Sequence, residues 1–287
     1  MELTQANAVV MVILSIITTF GNFLVIYTMH RDPLKELRTI PNWLITNLAF
    51  SDLMLGLVVE PLWAVFHWVR GVYLYQVIAV VMHTAIAANF YTLTALSLER
   101  YTMLKTRGLT RSAFQHYRLV TSLAFIWFLS VGMAVLILIK PANVCTRTIL
   151  PYMVGLPSTL ILVILYMKIF IVIRNVYHKD FDQSLPSGDL PKMSINVSKM
   201  AARCVRKKEL QIAKTIFTLL AVLVLLWSPT ITAVTITSYC PKCKIDSATL
   251  NFMITVGFMN AAINPLIYAF QSQPFRNAVY FMLKGSA

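Results

Sequence analysis

Six stretches of this 287-residue chain contain no Asp, Glu, Lys or Arg: Leu3 to His30, Gly71 to Leu98, Leu119 to Ile139, Thr148 to Met167, Thr215 to Pro241 and Ser247 to Phe275. Each reaches the roughly 20 residues that a helix needs to cross about 30 Å of hydrocarbon. A seventh stretch, Ile40 to Phe66, qualifies once Asp52 and Glu60 are accepted inside it. Strands are excluded, because the runs lack period-two alternation and a turn signal every ten residues. With 58% hydrophobic and 13% charged residues, a soluble domain of this size could not keep its apolar surface from water. The expected fold is an all-α membrane protein, a seven-transmembrane-helix bundle over residues 1–270. Its spans fall at about 6–30, 40–66, 74–105, 117–140, 149–178, 205–238 and 246–270. Residues 271–287 hold a short tail and an amphipathic helix on the inner leaflet, since Phe275, Val279 and Met282 are spaced i, i+4, i+7.

The net charge of +14 could suggest nucleic acid. The basic residues lie between apolar runs rather than on one face, so anionic lipid headgroups are the simpler partner and nucleic acid is not expected. Only Arg70, Lys140, Arg147, Lys242 and Lys244 of the 25 Lys and Arg fall on the side shared by the N-terminus. The positive-inside rule therefore puts the N-terminus outside the cell and the C-terminus in the cytoplasm, as for a multi-pass plasma-membrane protein. Met1 to Val10 lacks a basic n-region, so the first helix is expected to act as its own uncleaved insertion signal. The longest loop, about Lys179 to Cys204, is cytoplasmic and carries Pro186, Ser187, Gly188 and Pro191. Its Asn196-Val-Ser198 sequon would face the cytosol, where no glycan is added.

Ionisable groups at bilayer depth are costly and need a reason. Asp52 lies mid-span, and Asn22, Asn89, Asn260 and Asn264 on three other spans are candidates to face it. Such a group forms either a wet cavity for a small cation or a structural hydrogen-bond network between helices. Glu60, just before Pro61, either attracts a cation or bonds a neighbouring helix. Glu99-Arg100-Tyr101 ends the third span, and Glu209 opens the sixth after Arg206-Lys207-Lys208. An Arg and a Glu at two helix feet can pair and be broken apart as a two-state switch, or form only a solvated interfacial cluster. Pro229 after Trp227-Ser228, and Pro265 inside Asn264-Pro265-Leu266-Ile267-Tyr268, each remove a backbone hydrogen bond and kink a helix.

These residues together resemble the rhodopsin-like receptor family, from the first helix to the tail. Gly21-Asn22 fits the family's first-helix motif, Leu48 to Asp52 the second, Glu99-Arg100-Tyr101 the third, Trp127 the fourth and Trp227-Ser228-Pro229 the sixth. Asn264 to Tyr268, followed by Phe275-Arg276, is similar to the seventh-helix motif and the short surface helix. The resemblance implies a ligand between the outer helix halves, repacking around Trp227, and outward movement of the sixth helix from Arg100. The opened crevice would admit the α subunit of a heterotrimeric G protein, with Tyr268 moving inward. Asp52, Asn89, Asn260 and Asn264 map onto the family's allosteric sodium positions, with Asn89 in place of the usual serine. No side-chain catalysis and no other cofactor are implied.

The chain departs from the pattern at several places. Tyr75 stands where the third helix usually carries a cysteine, which leaves Cys145 without its usual partner. The second outer loop, roughly Pro141 to Leu150, is short. Cys240-Pro241-Lys242-Cys243 lies in the third outer loop, where an intraloop disulfide is expected, although pairing with Cys145 stays open and two thiols alone make an incomplete zinc site. Cys204 faces the reducing cytosol. These features loosely resemble the melanocortin, lysophospholipid, cannabinoid and adenosine receptor branch. Leu165 occupies the fifth-helix tyrosine position with Tyr166 one residue on, so either the register slips or that contact to Tyr268 is absent. Met82 replaces the amine-receptor aspartate, Val234 the adenosine-receptor asparagine and Phe258 the retinal lysine, and Ile78 and Ala79 carry no melanocortin-type acids. The remaining outer cavity is lined by Trp63, Met82, His83, Ile86, Trp227, Thr230, Val234 and Phe258, with His67, Trp68 and Tyr239 at its rim. Such walls suit a lipid-like or small neutral ligand; an extracellular peptide is also open. A seven-helix transporter or channel is the competing class, and the chain shows none of the inverted repeats typical of transporters.

Overall fold

The computed structural model describes residues 2–66, 68–69, 71–106, 112–139, 155, 157–172, 192–240, 243 and 245–284. Nine α-helices and no strand occur among them: α1 (Glu2–Arg31), α2 (Ile40–Met54), α3 (Glu60–Phe66), α4 (Val72–Thr106), α5 (Ser112–Ile139), α6 (Pro157–Val172), α7 (Lys192–Tyr239), α8 (Ser247–Gln271) and α9 (Gln273–Lys284). A single π turn, Leu55–Val59, joins α2 to α3, so these two helices form one crossing. Six crossings are long and apolar enough to span a bilayer, and α6 supplies a shorter apolar seventh. The molecule is a seven-helix bundle.

Local chemistry sets the helix ends. Pro41 sits in the first turn of α2, where its missing N–H would have had no partner. Asp246 caps α8, accepting from the Thr249 amide at 2.8 Å and the Thr249 hydroxyl at 2.6 Å. The hydroxyl bond, followed by the amide bond, holds the Asp246 carboxyl below the usual carboxylate range. Extended Ser272 separates α8 from α9, and Arg276 donates back to the Phe270 carbonyl at 2.5 Å, covering an open helix end. Phe275 and Ala278 of α9 are buried, which fixes the short helix against α1 and α8.

The burial pattern is that of a chain whose solvent is lipid. Phe20, Phe128 and Phe270 are each more than three-quarters exposed, whereas Asn22, Ser51, Asp52 and Glu60 are fully buried. Large apolar side chains point outward into hydrocarbon and polar groups point inward to one another. Helix α4 runs through the centre, touching α2, α3, α5 and α7, while α1 packs on α2, α3 and α8. Small residues allow the closest approaches. A Cβ on Gly21 would lie 2.9 Å from the Pro265 ring, so α1 meets α8 at its kink.

One expectation is corrected. The cytoplasmic loop expected to run to Cys204 is helical from Lys192 onward, so α7 extends well beyond its membrane span, Gln211–Thr237. Hydropathy drops at the charged segment, but Met, Ala, Lys, Arg and Glu are good helix formers and the helix continues through them. The side chains of 192–210, Glu209 and Cys204 among them, lie outside the described residues, as do His67, Cys145 and the last three residues.

Candidate functional site

Three polar or aromatic layers stack along the bundle. At the foot of α4, Arg100 is buried and its Nε lies 3.1 Å from Glu99 Oε2. An arginine kept at the helix end in a nearly dry setting is expensive unless paired, and its own neighbour pairs it. Beside it, the Tyr101 ring sits 5.8 Å beneath Lys168 Nζ of α6, within cation–π range. The foot of α4 thus reaches α6 through Tyr101, and α4 also packs against α7.

Mid-membrane, Asp52 is the hub. Asn89 Nδ2 of α4 donates to its Oδ1 at 2.8 Å, and Asn264 Nδ2 of α8 donates to its Oδ2 at 2.6 Å. Both carboxylate oxygens therefore hold a helix other than their own. Ser51 donates in turn to Asn89 Oδ1. Asn22 turns elsewhere, donating to the Thr18 and Ala261 carbonyls at 2.9 and 3.0 Å, which ties α1 to α8 beside the Pro265 kink. Asn22 Oδ1 and Asn260 Oδ1 are buried acceptors with no hydrogen-bond partner among the described residues. A buried carboxylate and unpartnered amide oxygens in one bundle interior are oxygen donors of the kind a hard monovalent cation takes, so the residue types present fit an alkali ion. The Tyr268 hydroxyl is also buried without a partner among the described residues.

Outside this layer lies an aromatic one. Phe258 packs edge-on against Trp227 at 5.8 Å and against Trp63 at 6.2 Å. Gly257 makes this possible: a Cβ there would lie 3.0 Å from the Trp227 ring. Thr230, one residue past Pro229, donates to the Met253 carbonyl at 2.7 Å, bridging α7 and α8 across the kink. Met82 and Ile86 pack against the same core, and Val234 lies half-buried farther out. His83 Nδ1 donates to the Ala79 carbonyl of its own helix at 2.6 Å, since a carbonyl oxygen only accepts. At the outer end, the sulfurs of Cys240 and Cys243 lie at bonding distance, 2.18 Å.

Comparison with known proteins now bears on the geometry. The sequence profile of the "7 transmembrane receptor (rhodopsin family)" matches residues 21–268. The chain belongs to this receptor family. Members of the rhodopsin family are receptors rather than enzymes, and their helices make them multi-pass membrane proteins. The chain is 25% identical over 288 residues to the rat pyroglutamylated RF-amide peptide receptor and 26% identical to the mouse one. It spans 65% of the length of these relatives, while they cover 90% of it. The crystal structure of squid rhodopsin superposes with a TM-score of 0.85 at 20% identity, covering 99% of this chain and 86% of that one, and it bears on the fold alone.

Several residues of the receptor's interior were not singled out from sequence. Asn47 joins α2 to α4 by donating to Thr92 at 2.8 Å, and joins α2 to α5 by accepting from Trp127 Nε1 at 2.9 Å. Thr255 donates to Asn7 at 2.9 Å, linking α8 to α1 near the outer side. Each is an amide or hydroxyl in an apolar run, which is the only signal a sequence offers for such a bridge. Tyr166 directs its hydroxyl to the Ala213 carbonyl of α7 and stacks its ring near Phe217, while Leu165 is buried. The tyrosine contact of this helix therefore goes to α7.

Proposed function

We propose that this receptor is a ligand-operated activator of heterotrimeric G proteins, with its N-terminus outside the cell and its C-terminus inside. Residues 1–270 form the signalling bundle, and 271–287 the surface helix and tail. The observation that carries the reading is Arg100, buried near the foot of α4 and paired with Glu99. A guanidinium paired with its neighbour in sequence is held within its own helix, so that pair can be exchanged for another without unfolding α4. The switch residues are Glu99, Arg100, Tyr101, Glu209, Trp227, Pro229, Asn264, Pro265 and Tyr268. Agonist entering between the outer helix halves displaces the Trp227–Phe258 pair, α7 pivots at Pro229, and its foot leaves Arg100. Asp52, Asn260 and the amides around them hold sodium in the resting state, and Asn89 and Asn264 orient the carboxylate.

The relatives are named as receptors of a pyroglutamylated RF-amide peptide, which supports a peptide agonist of that kind. The apolar floor formed by Trp63, Phe258 and Trp227 supports a second reading, a lipid-like or small neutral ligand. The Cys240–Cys243 link rigidifies the loop between α7 and α8 at the mouth of the cavity. The test is agonist-driven nucleotide exchange on purified G proteins, with RF-amide peptides and lipids as probes. Exchange is expected with wild type and is expected to fall at least about tenfold in Arg100→Ala, a loss of about 1.4 kcal/mol or more in coupling. Undiminished exchange in that variant at equal surface expression removes Arg100 from the mechanism.

A further inference from the structure

Asp52 is not the only carboxylate sealed inside the bundle. Glu60 at the start of α3 is fully buried. Its Oε1 accepts one hydrogen bond, from the Thr18 hydroxyl of α1 at 3.2 Å, and its Oε2 has no partner among the described residues. Uniform helical geometry does not put it there. Eight residues at about 100° each would leave Glu60 about 80° round the helix from Asp52. The π turn Leu55–Val59 takes up one extra residue, which turns everything after it back by about 100°. Glu60 therefore returns to within about 20° of Asp52 and faces inward, roughly 10 Å farther along the axis. The turn itself is seated against α1: the Ser15 hydroxyl donates to the Gly56 carbonyl at 2.7 Å, and a Cβ on Gly56 would lie 2.8 Å from the Thr19 hydroxyl.

Two carboxylates sealed on one face, when ionised, need two positive charges. Among the described residues, the elements packed around this crossing are α1, α4, α5 and α8. Within the membrane, α1 from Leu3 to Met29, α4 from Val72 to Leu98, α5 from Leu119 to Ile139 and all of α8 contain no Lys or Arg, and the crossing itself, Ile40 to Phe66, has none. His83 is the one basic side chain in these segments, and its protonated Nδ1 already bonds the Ala79 carbonyl. No group of three His, Cys, Asp or Glu able to hold a metal occurs among the described residues, which argues against a divalent ion. Oε2 is a buried acceptor with no hydrogen-bond partner among the described residues, the condition of a lone pair free to ligate a cation. A monovalent ion instead uses the free Oε2 as a ligand and brings its remaining water ligands with it.

We propose that Glu60 Oε2, beside Thr18 and the π turn, is the anionic ligand of a second monovalent-cation site, of the sodium class, stacked outside the Asp52 site. The proposal rests on the reading of Asp52 as a sodium site only for the count of ions, not for the existence of its own. Each ion neutralises one carboxylate, so the crossing is electrically neutral only when both are filled. The two sites lie on one helix face joined by the π turn; Glu60 is bonded to α1 and Asp52 to α4 and α8.

The test uses the full receptor in nanodiscs with sodium chloride against choline chloride at constant ionic strength. Equilibrium binding of radiolabelled sodium is expected to give two ions per wild-type receptor, one in Glu60→Gln and one in Asp52→Asn. A wild-type count of one that Glu60→Gln leaves unchanged means that Glu60 carries a proton, and the proposal is overturned. A count that Asp52→Asn leaves unchanged defeats the Asp52 reading and spares this one. Should Glu60→Gln fail to fold, mass-spectrometric mapping of carbodiimide adducts on the wild type decides, because that reagent attacks buried protonated carboxyls. Sodium is expected to protect Glu60 from modification, and adducts at Glu60 that are indifferent to sodium contradict the proposal.

Discussion

The layer around Asp52 and the aromatic layer just outside it are built on the same crossings but are held by different forces. Around Asp52 the contacts are hydrogen bonds of 2.6 and 2.8 Å from amides on two other helices, directed at particular lone pairs. In the aromatic layer, Trp63, Phe258 and Trp227 meet edge to face at 5.8 and 6.2 Å, contacts that keep most of their energy when the rings slide. Moving a helix breaks the first kind of contact and merely rearranges the second. In the proposed mechanism, a signal entering from outside meets the adjustable layer first and then disrupts the directional one. That ordering separates a receptor that responds from one that is permanently loose.

Substitutions in the two layers should therefore differ in kind. Asn264→Ala is expected to have the largest effect on stability, since it strips Asp52 Oδ2 of its donor inside the bilayer. The expected loss is about 2 kcal/mol, read by thermal unfolding of the receptor in nanodiscs. A change too small to resolve would mean that the amide is dispensable and the layers are not distinct. Next comes Gly257→Ala, whose Cβ would press on the Trp227 ring at 3.0 Å. We expect about 1 kcal/mol of destabilisation together with a shifted basal rate of nucleotide exchange, and an unaltered basal rate would remove Trp227 from the switch. Trp127→Phe, which deletes the bond to Asn47 outside both layers, should cost about 0.6 kcal/mol and leave signalling unaffected.

The smallest effect belongs to the α8 cap. Bonds from Thr249 hold the Asp246 carboxyl below its ordinary range. A depressed value means the charged cap stabilises the fold above the unfolded-state value, and that contribution disappears as pH falls through the folded one. Acid titration of unfolding should show this in wild type and not in Asp246→Asn, and identical acid profiles would mean the cap carries no stability.

Much of the architecture was legible because twenty uncharged residues in a row admit one physical reading, and six such runs, with a seventh broken only by Asp52 and Glu60, leave few alternatives to a bundle. The polar residues of the interior were legible as types, since amides and carboxylates at bilayer depth must face inward. Their pairing was not. Asn22, Asn89, Asn260 and Asn264 are equivalent as letters, yet only Asn89 and Asn264 reach Asp52, while Asn22 bonds backbone carbonyls. The choice depends on helix rotation, which local sequence does not specify. The π turn is the clearest case: nothing in Leu55-Gly-Leu-Val-Val59 marks an inserted residue, and the phase of Glu60 follows from it. Similarly, hydropathy marks where the bilayer ends and not where α7 ends, so the charged helical turns from Lys192 were hidden behind their own polarity.

The central claim is that the foot of α7 moves away from the foot of α4 when the receptor signals. Spin labels on Lys214→Cys of α7 and on Thr121→Cys of α5, which packs on α4, in a Cys145→Ser, Cys204→Ser background report that movement by pulsed electron resonance. With an agonist that drives nucleotide exchange and with G protein present, a longer-distance population should appear and grow with agonist occupancy. An unchanged distance distribution while exchange proceeds would contradict the account.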